Sequence, residues 1–280
     1  CCLLAIKHRR NANRFEPTTV YKMGILDGKN IVITGVLTDA SLAFGVAQLA
    51  QREGAKIVLT GAGRGLSITE RTARKLETPV SVVEFDVTVD SHVESARESV
   101  KQNFGSLGRV DGVLHSIGFA PAACLGDDFM AATWADVAVA MQISAYSLKT
   151  LAESFAPLMT NGGSIVGLDF DNTVAWPAYN WMGVAKSALE STNRYLAKAL
   201  GTKQIRCNLI AAGPIRTMAA KSIPTFGSFE DVWGQRAPLG WDVNDSTSVA
   251  RSCVAMLSDW FPATTGEIVH VDGGFHAMGA

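Results

Sequence analysis

The 280-residue chain is 48% hydrophobic and 18% charged, a composition that excludes disordered, collagenous and polyampholytic chains and describes an ordinary packed globule. Its 25 basic and 26 acidic side chains leave a net charge of -1 with no basic stripe, so nucleic acid is not expected as a partner. No window approaches about 18 consecutive apolar residues, which excludes a spanning helix and implies a soluble protein.

Residues 1–22 open on an apolar run, Cys1 to Ile6, and then turn basic at Lys7, Arg9 and Arg10, the reverse order of a secretory signal. This stretch is expected to be an extension outside the fold, with Met23 as a natural start and one domain over residues 23–280. From Asn30 onward, short β-branched runs alternate with helical patterns. The expected strands are Ile31 to Thr34, Lys56 to Thr60, Val80 to Phe85, Val110 to Ser116, Ser164 to Leu168, Ile205 to Ile210 and Ile268 to Val271. Helices are expected over Leu42 to Arg52, Ser67 to Leu76, His92 to Phe104, Trp134 to Leu158, Ala178 to Leu200 and Ser246 to Ser258. The alternation predicts an α/β, Rossmann-like, doubly wound sheet of seven parallel strands with helices on both faces. The least regular stretch is Arg216 to Trp241, where Pro224, Gly227, Gly234, Pro238 and Gly240 interrupt any period. A loop leaving the sixth strand there is placed to cover a substrate. The five cysteines (Cys1, Cys2, Cys124, Cys207, Cys253) are odd in number and scattered, without C-x-x-C or zinc spacing. They fit a reducing, cytoplasmic setting, and no metal site is expected.

The first strand runs into Thr34-Gly35-Val36-Leu37-Thr38-Asp39-Ala40-Ser41-Leu42, which is not G-x-G-x-x-G but has the parts of a pyrophosphate cradle. Gly35 permits a tight turn, and Ser41 offers a hydroxyl beside the N–H groups and positive end of the following helix. Three later strand ends, Asp86-Val87, Ser116-Ile117-Gly118 and Gly213-Pro214-Ile215-Arg216-Thr217, converge on the same sheet edge. There an aspartate can accept from an adenine amino group and a glycine admits the ligand close to the backbone. Convergence, more than any one segment, points to a dinucleotide site. After the fifth strand, Pro177 is set to start a helix carrying Tyr179 and Lys186. Seven helical steps return to within about 20°, placing both side chains on one face roughly 10 Å apart. A lysine ammonium near the phenol would make it a better hydrogen-bond donor and acid.

These residues resemble the short-chain dehydrogenase/reductase superfamily and, more narrowly, the enoyl-acyl carrier protein reductases of the mycobacterial and actinobacterial type, over about Gly24 to Gly274. Most members of the superfamily use Tyr-x-x-x-Lys with a preceding serine; here the spacing is Tyr-x6-Lys and Val166 stands at the serine position. His115-Ser116-Ile117-Gly118-Phe119, Ser187-Ala188-Leu189-Glu190 and Ala212 to Thr217 are similar to the enoyl reductases too. The resemblance implies phosphate and ribose contacts at Ser41, Leu42 and Lys186, and adenine contacts at Asp86 and Val87. It puts Ile117, Gly118 and Ile215 on the nicotinamide side. It assigns Tyr179 to the substrate carbonyl and Phe170 to the ring beside the reacting atoms, with Phe119, Met182 and the 218–233 loop lining the acyl pocket. The expected reaction is hydride transfer from NADH to the β-carbon of a trans-2-enoyl thioester carried on acyl carrier protein or coenzyme A. The setting implied is fatty-acid synthesis, extending to mycolic acids, by a homotetramer. Two departures bear on this. The Arg216 to Trp241 stretch is shorter than in the mycobacterial enzyme, which leaves acyl length open. The second strand ends in Gly61-Ala62-Gly63-Arg64 without an acidic residue, so that Arg64 keeps NADPH as an alternative. Two rival functions stay open: a ketone or alcohol oxidoreductase of the same fold, and a non-catalytic NAD(H) sensor.

Overall fold

A computed structural model describes residues 24–105, 108–220, 223–224 and 226–279; the expected extension over residues 1–22 lies outside the described residues. Seven parallel strands form one sheet: β1 (Asn30–Thr34), β2 (Lys56–Gly61), β3 (Ser81–Glu84), β4 (Gly112–His115), β5 (Gly163–Asp169), β6 (Ile205–Ala212) and β7 (Ile268–Val271), in the order β3-β2-β1-β4-β5-β6-β7. The register pairs Val32 with Val58 on one side and with Val113 on the other.

Because a parallel sheet is covered on both faces, its strands are apolar throughout, and alternate residues serve different layers. Ile31, Ile33, Leu59, Leu114, Val166 and Ile210 pack with α1 (Leu42–Arg52) and α8 (Thr247–Leu257). Val32, Val58, Val113, Ile165 and Leu209 pack with α3 (Asp90–Asn103), α5 (Ser147–Phe155) and α6 (Asn180–Leu200). A further helix, α2 (Arg64–Ala73), links β2 to β3. The chain winds outward from β1 to β3 and then returns to lay β4 against the other side of β1. That reversal opens a crevice at the carboxyl ends of β1 and β4, where ligands of such sheets bind.

Two expectations change in detail. The single helix over Trp134 to Leu158 is composite: α4 (Trp134–Met141), a π turn at Gln142–Tyr146, α5, and a 3-10 turn at Ala156–Leu158. Its start is fixed by a capping box between Thr133 and Asp136. The irregular stretch Arg216 to Trp241 is not a plain loop, because it contains α7 (Phe226–Arg236). Gly227 and Gly234 hid the period, while Phe226, Phe229 and Trp233, at i, i+3 and i+7, carry the inward face. Among the described residues no helix is long and apolar enough to cross a membrane.

Candidate active site

Backbone dominates the first half of the sheet edge. Gly35 follows β1 with φ +81°, and a Cβ there would overlap the Ser116 carbonyl oxygen, so only glycine lets these two strand ends cross. The Thr34 hydroxyl donates to the Leu114 carbonyl (3.0 Å) and accepts from the Ser116 amide (2.9 Å), fastening β1 to β4 just below the crossing. Ser41 stands at the N-cap of α1, yet its Oγ does not cap the helix: it accepts from the Thr38 amide at 2.9 Å and closes the preceding turn. The amides of Leu42 and Ala43, at the positive end of α1, have no backbone partner among the described residues. Thr38 was not singled out in the sequence, and an i, i+3 hydroxyl pair was the available signal.

Beyond β3, Asp86 Oδ1 accepts from the Thr88 amide (2.9 Å) and hydroxyl (2.7 Å), while its other oxygen has no hydrogen bond among the described residues. Val87 beside it is half-buried. Beyond β4, Ser116 and Ile117 are half-buried, and a Cβ on Gly118 would meet only Ser144 Oγ, at 3.8 Å, so the backbone there is open to close approach. The π turn fastens this loop, because Ser144 Oγ accepts from the Phe119 amide (2.9 Å) and donates to its carbonyl (2.8 Å). Beyond β6, Ile215 is buried, the Thr217 amide donates to the Ile215 carbonyl (2.8 Å), and Thr217 Oγ1 accepts from the Ala220 amide (3.1 Å). Gly35, Ser41, Leu42, Asp86, Val87, Ser116, Ile117, Gly118, Ile215 and Thr217 thus all lie past the carboxyl ends of strands in one sheet.

The second half is built around the start of α6. Pro177 does not begin the helix; α6 begins at Asn180, and Tyr179 is its N-cap residue. Tyr179 sits between two left-handed residues, Ala178 (φ +58°) and Asn180 (φ +50°), so an unbroken helical face from Tyr179 to Lys186 is not what relates them. Asn180 is held in this conformation by its own amide, which donates to the carbonyls of Gly126 (3.0 Å) and Asp128 (3.1 Å). Lys186 is buried, with Nζ donating to the Leu168 carbonyl at 3.0 Å and lying 3.6 Å from Asp169 Oδ1. The fully buried Asp169 carboxyl makes no side-chain hydrogen bond, and burial pushes it up to about 7 against the pull of Lys186. Burial also depresses the Lys186 ammonium, with Asp169 opposing.

The expected acidification of the phenol by lysine is overturned. Burial, and then the Asp169 carboxylate, push Tyr179 well above the usual phenol range, so it remains a neutral O–H donor. Asp169 was missed in the sequence, although it adjoins Phe170 at a strand end. His115, also missed as a titrating group, is buried beside this layer and pushed down to about 3 by burial and by Lys186. Its Nε2 lies 2.7 Å from Ser147 Oγ, which donates to the Ile143 carbonyl, so neutral His115 donates through Nε2 and leaves Nδ1 without a partner.

Phe170 packs beside Tyr179 with ring centroids 5.1 Å apart and continues into Trp176 (5.6 Å), Phe229 (5.8 Å) and Trp233 (5.8 Å). Trp233 is 1% exposed and stacks on Phe275 at 3.9 Å. Of the residues expected to line the acyl pocket with the 218–233 segment, Met182 packs with Ala120, Cys124, Val137 and Ala140, and Phe119 is 52% exposed. Along the 172–178 segment a groove of about 590 Å³ borders Tyr179, with Asp127, Asn172, Phe129, Val174, Trp176 and Val184 among its lining.

Strand order, the glycine crossing at the switch point and the loops gathered beyond it define a doubly wound α/β protein of the nucleotide-binding type. The chain belongs to the enoyl-(acyl carrier protein) reductase family, whose profile matches residues 35–276. It is 46% identical over 262 residues to the enoyl-(acyl-carrier-protein) reductase (NADH) of Mycolicibacterium smegmatis, covering 90% of this chain and 97% of that protein. It is 44% identical over 261 residues to the protein of the same name from Mycobacterium avium, with 90% and 97% covered. A relative from Staphylococcus aureus, named for NADPH, is 38% identical over 256 residues, with 90% and 98% covered.

Proposed function

We propose that this protein reduces the carbon–carbon double bond of trans-2-enoyl thioesters at the expense of NADH, in fatty-acid synthesis. The single observation that carries the reading is the buried, neutral Tyr179 phenol packed against Phe170 where the β4, β5 and β6 loops gather. The sheet edge fits the cofactor. The unpartnered amides of Leu42 and Ala43 suit a pyrophosphate, the remaining oxygen of Asp86 suits an adenine amino group, and the uncrowded backbone of Gly118 suits a flat ring. NADH is favoured by its place in the names of the two mycobacterial relatives; Arg64, exposed at the start of α2, is the residue that would have to receive the extra phosphate of NADPH.

Bound there, NADH supplies the hydride that adds to the substrate β-carbon. As electrons move onto the thioester oxygen, the Tyr179 hydroxyl would donate a hydrogen bond to it while keeping its own proton, and the resulting enolate would then take a proton from solvent water at the α-carbon, which completes the saturated thioester. Lys186, whose Nζ rests on the Leu168 carbonyl 3.6 Å from Asp169, is the residue that would hold the ribose hydroxyls of the bound cofactor. Phe170 walls the reacting atoms from water. The thioester is carried on acyl carrier protein or coenzyme A, and the enzyme works in the cytoplasm as a homotetramer. Support for the assembly is that Trp134, Tyr146 and Tyr195, on α4, the π turn and α6, are all more than half exposed.

The test is loss of NADH absorbance with a series of enoyl thioesters, set against NADPH and against a β-ketoacyl thioester. Tyr179→Phe should lower turnover on the order of a hundredfold with NADH affinity nearly intact. Oxidation of NADH by the ketone but by no enoyl thioester would replace this reading with a ketoreductase; cofactor binding without any turnover would favour the sensor.

A further inference from the structure

From Phe170 toward α7 the interior is filled by aromatic side chains. Past Phe170, the rings of Trp176, Phe229, Trp233 and Phe275 succeed one another at centroid separations of 3.9 to 6.1 Å, the spacing of rings in direct contact. Phe229, Trp233 and Phe275 are each at most 5% exposed. Rings packed this closely leave no methylene-sized space between them, so a chain leaving the reacting atoms toward α7 meets a wall after a few carbons. The groove that borders Tyr179 along the 172–178 segment mixes polar groups such as Asp127 and Asn172 with Phe129, Val174 and Val184, and Trp176 lines it too, so this one ring stands on both routes away from the reacting atoms.

Two of the rings stand where they decide the depth of the site. Trp176 sits on the connection from β5 to α6, anchored by its Nε1 donating to the Asp171 carbonyl at 2.6 Å, and it touches both Phe170 and Phe229. Phe229 comes from α7 and meets the Phe170 ring edge-on at 5.8 Å. Resting on the enoyl-reductase reading above, we infer that Trp176 and Phe229 limit acyl length and restrict this enzyme to short enoyl thioesters. Length is set by these ring volumes, not by the span of the covering segment alone.

The experiment compares kcat/KM for trans-2-butenoyl-, trans-2-octenoyl- and trans-2-dodecenoyl-coenzyme A in the wild type, Trp176→Ala and Phe229→Leu. In the wild type the dodecenoyl substrate should fall about tenfold or more below the butenoyl one, as a few methylenes without a pocket do. In either variant the dodecenoyl-to-butenoyl ratio should rise about tenfold; a general loss of structure would lower both substrates together and leave the ratio still. Phe229→Leu is the conservative change and keeps the test open if Trp176→Ala folds poorly by circular dichroism. Equal turnover of all three lengths by the wild type overturns the inference, as does an unmoved ratio in a folded variant. Absence of NADH oxidation at every length sinks the enoyl-reductase reading instead, and the length limit with it.

Discussion

On the β1–β4 side of the sheet edge the groups left open at the surface are main chain: the crossing at Gly35, the amides of Leu42 and Ala43, the open backbone of Gly118. The β5–α7 side is built of side chains, a run of rings from Tyr179 and Phe170 to Trp233 and Phe275. The first kind of surface can recognise a ligand common to many enzymes, because it reads phosphate and ring plane with atoms every residue possesses. The second is specified ring by ring, so it can differ between relatives while the first stays fixed. If the two halves are this separable, mutations should divide them.

The largest separation is expected from Phe275→Ala. Removing a 5% exposed ring that stacks on Trp233 should cost about 3–5 kcal/mol of stability, read by urea unfolding, with NADH affinity held within about twofold in the folded protein. An equal collapse of NADH binding would break the comparison. Next comes Gly35→Ala on the other side. Its left-handed backbone alone costs roughly 1–2 kcal/mol, and the collision with Ser116 must also spread β1 from β4. NADH affinity should fall by about tenfold or more in a fluorescence titration, while the aromatic wall keeps its near-ultraviolet dichroism.

His115 tests the buried polar layer between the halves. Its folded-state value of about 3 lies below the unfolded 6.5, so the unfolded chain takes up the proton first and His115 subtracts stability as pH falls through that window. By pH 5 the loss is about 2 kcal/mol. Asp169, raised to about 7, has the opposite sign: it adds stability at low pH and loses it as pH climbs from about 4 to 7, flattening the wild-type curve. The clean measurement is the difference between wild type and His115→Gln: the variant should gain about 2 kcal/mol on the wild type between pH 8 and pH 5, and a constant difference would remove His115 from the balance. The smallest effect is Ala178→Gly. Relief of the left-handed alanine, offset by the greater freedom of glycine in the unfolded chain, should stabilise by under about 1 kcal/mol, while a looser Tyr179 lowers kcat. An unchanged kcat would show that Tyr179 does not depend on that turn.

How legible each half was in the sequence follows from the same contrast. The β1 run, Gly35, Ser41 and the later strand ends announce themselves because strand periodicity and glycine punctuation are local signals, and the sheet then gathers them automatically. Tyr179, Lys186 and Phe170 were found through spacing and resemblance. The electrostatics of Tyr179 and Lys186 were not, because burial dominates both and the buried Asp169 acts beside it, and neither effect exists until solvent is excluded. The wall of rings was hidden for another reason: Trp176, Phe229, Trp233 and Phe275 come from three separate segments, and the glycines at 227 and 234 masked the helix that carries two of them. Cys124, Cys207 and Cys253 are free and buried, and burial pushes Cys207 and Cys253 up to about 12, leaving them inert.

The position of Tyr179 at the N-cap of α6 also has an electrical side. This is a 21-residue helix with no acidic residue in its first turn, so nothing on its own side chains neutralises the partial positive charge that its aligned peptides gather there. An oxygen drawing negative charge beside the tyrosine would feel that field as well as the hydroxyl, a contribution of about 0.3–1 kcal/mol that no substitution of Tyr179 itself would remove. A tyrosine-less variant would then retain part of its advantage over water, and that remainder would belong to the backbone of the helix.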